Sequence, residues 1–296
     1  MEYVVLNNGV RMPKLGYGVY QVSKEECTRC VLDAIEVGYR LIDTAQSYFN
    51  EAEVGKAIAH CGVPREELFI TTKVWIDNYG YEKCRASVLE SMRKLQVDYL
   101  DLILLHQPFA DYYGAYRALE DLYAEGKVKA IGVSNFYPDR LSDICLFERK
   151  VVPQVNQVET NPCNAQFLAQ KNMEKFRVQI ESWAPFGEGR NGMFANEILV
   201  SIGNKYEKSV AQVILRWLIQ RGVVALAKSV HKERMAENFN IFDFSLSDED
   251  MATIATIDRA ESLFFSHTDP KMVEWFDTTV ISRRANQDHT KDKKNW

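Results

Sequence analysis

The chain has no apolar run approaching the roughly 18 residues that a membrane-crossing helix needs, so no membrane span is expected. Its opening, MEYVVLNNGV, lacks the basic leader and long apolar stretch of a secretory signal, which makes the cytoplasm the expected compartment. Positive charge is not in excess either. There are 36 Lys and Arg against 41 Asp and Glu, a net charge of −5 with the signs interspersed. That balance supports neither a nucleic-acid partner nor a membrane surface. No linker or low-complexity tract divides the 296 residues, which read as one domain over 1–296. The end of the chain, RRANQDHTKDKKNW over 283–296, reads as a solvated, mobile tail.

Several catalytic signatures are missing as well. There is no G-x-S-x-G nucleophile elbow, so a serine hydrolase of that design is unsupported. Gly16-Tyr17-Gly18 is not followed by the third glycine of a dinucleotide fingerprint. The six cysteines are scattered, and a chain this long does not need disulfides. Cys27 and Cys30 form a C-x-x-C, but with Val31, Ala34 and Ile35 they continue one apolar helix face. No second Cys or His pair follows at zinc spacing, and no metal is expected.

What is present is a regular alternation. Ser23 and Glu26 make a capping box, an apolar helical stripe follows, and Gly38 supplies a stop. LIDTA then reads as a strand, and helix and strand continue to alternate: LFITTK (68–73), YLDLILLH (99–106), VKAIGVS (128–134), VPQVNQVE (152–159), VQIESW (178–183) and VVALAK (223–228). With the opening LGYGV (15–19) the strands number eight. Strict alternation with near-continuous apolar strands means parallel pairing with both faces covered. Eight units predict a closed (β/α)8 barrel. Asn7-Asn8-Gly9 between short apolar runs predicts an N-terminal hairpin capping the barrel, and 247–258 reads as an extra C-terminal helix.

Chemistry in such a barrel is built where the strands end. Those ends carry Asp43, Lys73, His106, Ser134, Gln157, Trp183 and Lys228. Taken singly, a lone Asp is more often a helix cap, a lone His a satisfied core residue and a terminal Lys merely solvated. Together on one rim they favour a site. One histidine among scattered carboxylates makes a poor metal centre. A glycosidase would pair Asp43 with Glu159 but leave Lys73 and Tyr48 unexplained. A phenol beside an ammonium has a clearer use. The cation is expected to lower the Tyr48 pKa, Asp43 to hold Lys73, and His106 to orient an acceptor, so that a carbonyl oxygen is protonated as hydride reaches its carbon. Lys228 and Ser229 sit at an expected helix start with Arg234 beyond, a phosphate-binding pattern.

The motifs LGYGVYQV, LIDTAQSY, TTKVW, LLHQP, GVSNF, QVNQVETNP and AKSVHKERMAENFNIFDF are ordered along nearly the whole chain. In them the sequence resembles the aldo-keto reductase family, and ESWAPFG resembles its microbial branch of 2,5-diketogluconate reductases and prostaglandin F synthase-like enzymes. The resemblance implies an NADP-dependent enzyme reducing aldehydes or ketones, with Tyr48 as proton donor and Lys73, Asp43 and His106 completing a tetrad. It implies NADPH held by Gly18, Val19, Ser134, Asn135, Gln157 and a stacking Trp183 at the nicotinamide end. At the adenosine phosphate end it implies Lys228, Ser229, Val230, Arg234, Glu237 and Asn238. A substrate pocket is expected from Tyr20, Trp75, Phe109, Phe264 and Phe265, and a monomer is implied. The chain departs from the family at Tyr20, often Trp, at Trp183, often Tyr, and at Ala227, often Pro. The alternatives are a non-catalytic nucleotide-binding or redox-sensing subunit of the same fold, and an unrelated barrel lyase or hydrolase that binds no nicotinamide.

Overall fold

The computed structural model describes residues 1–147 and 150–285, with side chains described through 280. Of the tail expected over 283–296, residues 283–285 are helical and 286–296 lie outside the described residues. The Asn7-Asn8-Gly9 turn joins β1 (Tyr3–Val5) to the antiparallel β2 (Arg11–Pro13). The barrel strands are β3 (Leu15–Gly18), β4 (Leu41–Asp43), β5 (Phe69–Val74), β6 (Leu102–Leu105), β7 (Ile131–Ser134), β8 (Val155–Glu159), β9 (Gln179–Trp183) and β10 (Val224–Ala227). Neighbours in sequence pair in parallel throughout, and β10 closes on β3.

The connecting helices are α1 (Lys24–Val37), α2 (Glu51–His60), α3 (Tyr81–Leu95), α4 (Tyr112–Ala124), α5 (Pro138–Leu146) and α6 (Phe167–Phe176). The last connections use α7 (Glu197–Tyr206), α8 (Val210–Gln220) and α9 (Lys232–Phe239). Their boundaries follow the local chemistry. Ser23 accepts the Glu26 amide at the start of α1, and Gly38 takes φ 127° at its end, a backbone angle that favours glycine. Ser209 and Gln212 cap α8 reciprocally. Cys27 and Cys30 are buried on the core face of α1, as the stripe predicted.

Because side chains alternate across a strand, every second strand residue faces the barrel interior. The inner set includes Leu41, Phe69, Leu102, Leu104, Ala130, Val155, Val224 and Leu226, which pack with Leu6 and Met12 of the hairpin. The hairpin therefore plugs one end of the barrel. One step further along, the same alternation brings Asp43, Lys73, His106, Ser134, Gln157, Trp183 and Lys228 to the other end.

Beyond the barrel, α10 (Asp248–Ala255), capped by Ser247, matches the expected extra helix. The following α11 (Pro270–Ala285) was not anticipated. Its apolar residues Met272, Phe276 and Val280 fall on one line, but Val273 and Trp275 lie off it and blur the period. Phe276 and Val280 pack on Trp75 and Ile76, so α11 forms a roof beside the barrel mouth. Among the described residues no helix is long and apolar enough to cross a membrane.

Gly132 faces inward where β7 and β8 approach closely. A methyl group there would run into the Val155 carbonyl and meet Leu104 at 2.7 Å. Backbone cannot step aside as a flexible side chain can, so Gly132→Ala is expected to destabilise the fold by about 2 kcal/mol. The check is a lower urea midpoint at unchanged slope.

Candidate active site

The mouth of the barrel holds a cavity of about 300 Å³. Its wall includes Asp43, Tyr48, His106, Ser134, Asn135, Gln157, Trp183 and Lys228, contributed by successive strand ends. Lys73 lies directly beneath it. The Lys73 side chain is 0% exposed, and its Nζ donates to Asp43 Oδ1 at 2.5 Å and to the Thr44 carbonyl at 3.0 Å. Register explains the meeting, since Asp43 pairs with Thr71 and Lys73 follows two residues later on the same face.

Tyr48 reaches the ammonium because the chain after β4 folds into a short 3-10 turn, Gln46–Tyr48, ending at Phe49 with φ 57°. Its hydroxyl lies 3.4 Å from Lys73 Nζ. His106 presents its ring edge-on to Tyr48 and is joined through Nδ1 to the Ser47 hydroxyl at 3.3 Å. Trp75 also packs edge-on with the imidazole, ring centres 5.1 Å apart.

One electrostatic expectation is reversed. The Tyr48 phenol is pushed well above its ordinary pKa, first by burial and then by the charge of Asp43, with Tyr20 and Glu181 adding to it. Lys73 does not act as an isolated cation, because Asp43 at 2.5 Å offsets most of its field. Tyr48 is therefore held protonated in this site. Burial also raises Asp43, while Lys73 and a hydrogen bond from Gln157 pull it back.

Residues expected at the nicotinamide end form a connected set. Ser134 Oγ donates to the Gln157 carbonyl at 2.9 Å, and Asn135 Nδ2 donates to the His106 carbonyl at 3.0 Å. Asn135 sits at φ 64°, a conformation asparagine tolerates. The Trp183 indole N–H donates to Asn135 Oδ1 at 2.9 Å, which fixes the plane of a ring that lines the cavity. Gly18 also lines it, and a Cβ added there meets nothing nearer than Leu226 Cβ at 3.9 Å, so the absent side chain leaves open space. Val19 is placed differently: its side chain is fully buried in the core, its N–H donates to the Asp43 carbonyl, and its own carbonyl accepts from Asn50.

Lys228 is exposed at the cavity rim. It and Ser229 precede α9 rather than opening it, since the helix starts at Lys232. Ser229 is buried, its hydroxyl bridging to His231 and its carbonyl accepting from Tyr17. The Val230 carbonyl accepts from Arg29. Arg234 and Glu237 are exposed on α9, and Asn238 is buried. Neither Lys228 nor Arg234 forms an ion pair with another described residue. Two unpaired cations flanking a helix start suit a phosphate, and the amide and hydroxyl groups of Ser134, Asn135 and Gln157 suit a carboxamide. The residues thus fit a nicotinamide dinucleotide phosphate.

Tyr20, Trp75, Phe264 and Phe265, the aromatics named for a substrate pocket, line the cavity. Phe109 does not. It stands behind Phe276 and His267 and lines an adjoining cavity with Tyr137 and Arg140. Phe276 takes the place expected of it, a residue hidden from motif reading because it belongs to α11. Two tethers hold this C-terminal segment over the mouth. Glu159 accepts from the Ser262 hydroxyl and the Leu263 amide, so its carboxylate is committed to anchoring. His267, buried among Phe109, Tyr137, Phe265 and Phe276, hydrogen-bonds Gln107 Oε1 through Nε2 at 2.9 Å. Gln107 follows His106 directly, and its amide and carbonyl both bond the Tyr79 hydroxyl.

Comparison with known proteins gives a consistent picture. Residues 12–259 match the profile of the Aldo/keto reductase family. The glyoxal reductase of Bacillus subtilis (strain 168) is 47% identical over 266 residues, 88% of this chain and 94% of that protein. The methylglyoxal reductase DkgA of Escherichia coli (strain K12) is 40% identical over 263 residues, again 88% and 94%. Among solved structures, an aldo-keto reductase from a deep-sea metagenome superposes with a TM-score of 0.87 at 40% identity, covering 90% of this chain and 98% of that one. A Bombyx mori aldo-keto reductase in complex with NADP superposes with a TM-score of 0.85 at 33% identity, covering 92% and 96%.

Burial lowers the His267 pKa from its ordinary 6.5 to about 3, so the folded protein keeps this ring neutral. A histidine depressed in this way favours folding fully above its unfolded pKa, and the benefit is lost as pH falls toward the folded value. At pH 5 the loss is up to about 2 kcal/mol. Melting temperature followed from neutral to acid pH is expected to fall more steeply for the native chain than for His267→Gln, which carries no titrating ring.

Proposed function

The chain belongs to the aldo/keto reductase family, an NADP-dependent class of carbonyl-reducing oxidoreductase, and on that footing we propose that it reduces aldehydes or ketones with Tyr48 as the proton donor. The observation that carries the reading is the run Tyr48–Lys73–Asp43, a phenol 3.4 Å from a buried ammonium that is itself 2.5 Å from a carboxylate, on the wall of the cavity. A bound NADPH supplies the hydride that goes to the carbonyl carbon. The work of the protein is to place the carbonyl oxygen and to deliver its proton.

In this reading His106 and Tyr48 hold the carbonyl oxygen between them. The Tyr48 O–H bond breaks and a new O–H bond forms on the substrate. The phenolate left behind faces Lys73, whose cation stabilises it most at that moment. Asp43 keeps the ammonium in place. Ser134, Asn135 and Gln157 orient the nicotinamide carboxamide and Trp183 provides a flat surface for the ring. Lys228 and Arg234 hold the 2′-phosphate region, with Ser229, Val230, Glu237 and Asn238 shaping the adenosine end. The aromatic wall of Tyr20, Trp75, Phe264, Phe265 and Phe276 favours small carbonyl compounds, and glyoxal and methylglyoxal are natural first choices because two relatives carry those names.

Two variants test the assignments. Tyr48→Phe is expected to lower kcat/KM for aldehyde reduction roughly a thousandfold, with NADPH binding retained. Turnover near the native level would remove Tyr48 as the acid. Arg234→Ala is expected to weaken NADPH binding by about tenfold or more while NADH binding is unchanged, measured by quenching of tryptophan fluorescence. Equal NADPH affinity in the two proteins would remove the phosphate role.

A further inference from the structure

A second carboxylate lies inside the barrel below the proposed tetrad. Glu181 is fully buried on β9, two residues before Trp183 and therefore on the same inward face. Its Oε2 accepts from Gln157 Nε2 at 2.9 Å, and the same nitrogen donates to Asp43 Oδ2 at 3.1 Å. Its other oxygen, Oε1, has no partner among the described residues. Among the described residues no cation pairs with Glu181, and Lys73 pairs with Asp43. A continuous line therefore runs Glu181–Gln157–Asp43–Lys73–Tyr48 across β9, β8, β4, β5 and the turn after β4.

We propose that Glu181 is a positioning residue for the reductase, orienting the Gln157 amide and setting the net charge beneath Tyr48. The proposal rests on Tyr48 being the proton donor. Asp43 takes the Gln157 nitrogen, and Glu181 offers the same nitrogen an acceptor oxygen whether or not it is ionised, so Gln157 is held in one orientation. Its oxygen is then turned away from them, and Gln157 lines the cavity where a carboxamide N–H would need an acceptor.

The charge effect follows from what surrounds Glu181. Asp43 faces it from β4, Lys73 from β5, Tyr48 from the turn and the neutral Gln157 from β8. Thr71 of β5 shares the interior, with a hydroxyl that likewise lacks a described partner. On the β10 side the inward residues are apolar, Val224 and Leu226. Burial first, and the charge of Asp43 second, push Glu181 up to about 8, against weaker pulls from Gln157 and Lys73. Below that value Glu181 is uncharged and adds nothing to the charge of the Lys73–Asp43 pair. When Glu181 ionises, it gains an uncompensated negative charge, and forming the Tyr48 phenolate becomes harder. Proton donation to the carbonyl oxygen should slow as pH rises through that ionisation.

The test is the pH profile of kcat/KM for aldehyde reduction from about pH 6 to about pH 10, in the native protein and in Glu181→Gln. Glutamine preserves the length and the acceptor oxygen but cannot ionise. Native activity is expected to decline on the alkaline side, with the decline in Glu181→Gln displaced upward. At pH 9.5, each relative to its own value at pH 7, the variant should exceed the native protein by about tenfold. If Glu181→Gln does not fold, Glu181→Met supplies a neutral chain of similar length. A native profile flat through pH 8, or variant and native profiles of the same shape, overturns the role of Glu181 and leaves the reductase reading standing. Absence of NADPH oxidation by the native protein with aldehydes, diketones and sugar acids would instead remove the reading on which it rests.

Discussion

The buried ion pair between Lys73 and Asp43 is the constraint around which the mouth of this barrel is arranged. Neither side chain reaches solvent appreciably, and each would be costly to bury alone. The surroundings show how the cost is offset. The ammonium has three hydrogen-bonding neighbours in Asp43, the Thr44 carbonyl and Tyr48, while the second Asp43 oxygen takes Gln157. Removing one partner would leave the other charge buried without its counter-ion. The pair therefore fixes β4 against β5 at the point where the chain must turn to deliver Tyr48.

The strand-level design was open to sequence reading because two periods coexist without conflict. Helices announce themselves by stripes and caps such as Ser209–Gln212, and strands by short apolar runs ending on a polar residue. Once eight such runs alternate with helices, closure into a barrel and a shared rim follow from topology. The strands proved shorter than their apolar runs, with Leu100 and Val128 meeting only as an isolated bridge. Apolar composition continues past the last ladder bond because the helices still cover those residues.

What escaped the sequence lies where a property depends on several distant groups at once. The Tyr48 pKa is such a case: a lysine nearby suggests a lowered value, but the outcome depends on Asp43 at 2.5 Å from that lysine and on burial. Phe109 was expected in the substrate pocket, yet α11 inserts Phe276 beside it and Phe276 lines the cavity instead. Glu159 looked available for acid–base work until Ser262 and Leu263 engaged it. Glu181 carried a usable signal, since its place two residues before Trp183 puts it inside the barrel. That signal becomes visible only when alternation is applied to every strand rather than to the strand ends alone.

The N-terminal hairpin gives the barrel a direction of traffic. With Leu6 and Met12 sealing one end against the inner leucines, whatever reaches Tyr48 must come through the opposite end, beneath the segment tethered by Glu159 and Gln107. A deep ligand and a shallow one that share such an opening cannot exchange independently. The deeper occupant arrives first and departs last, so a blind-ended barrel imposes an order on its visitors before any affinity is considered.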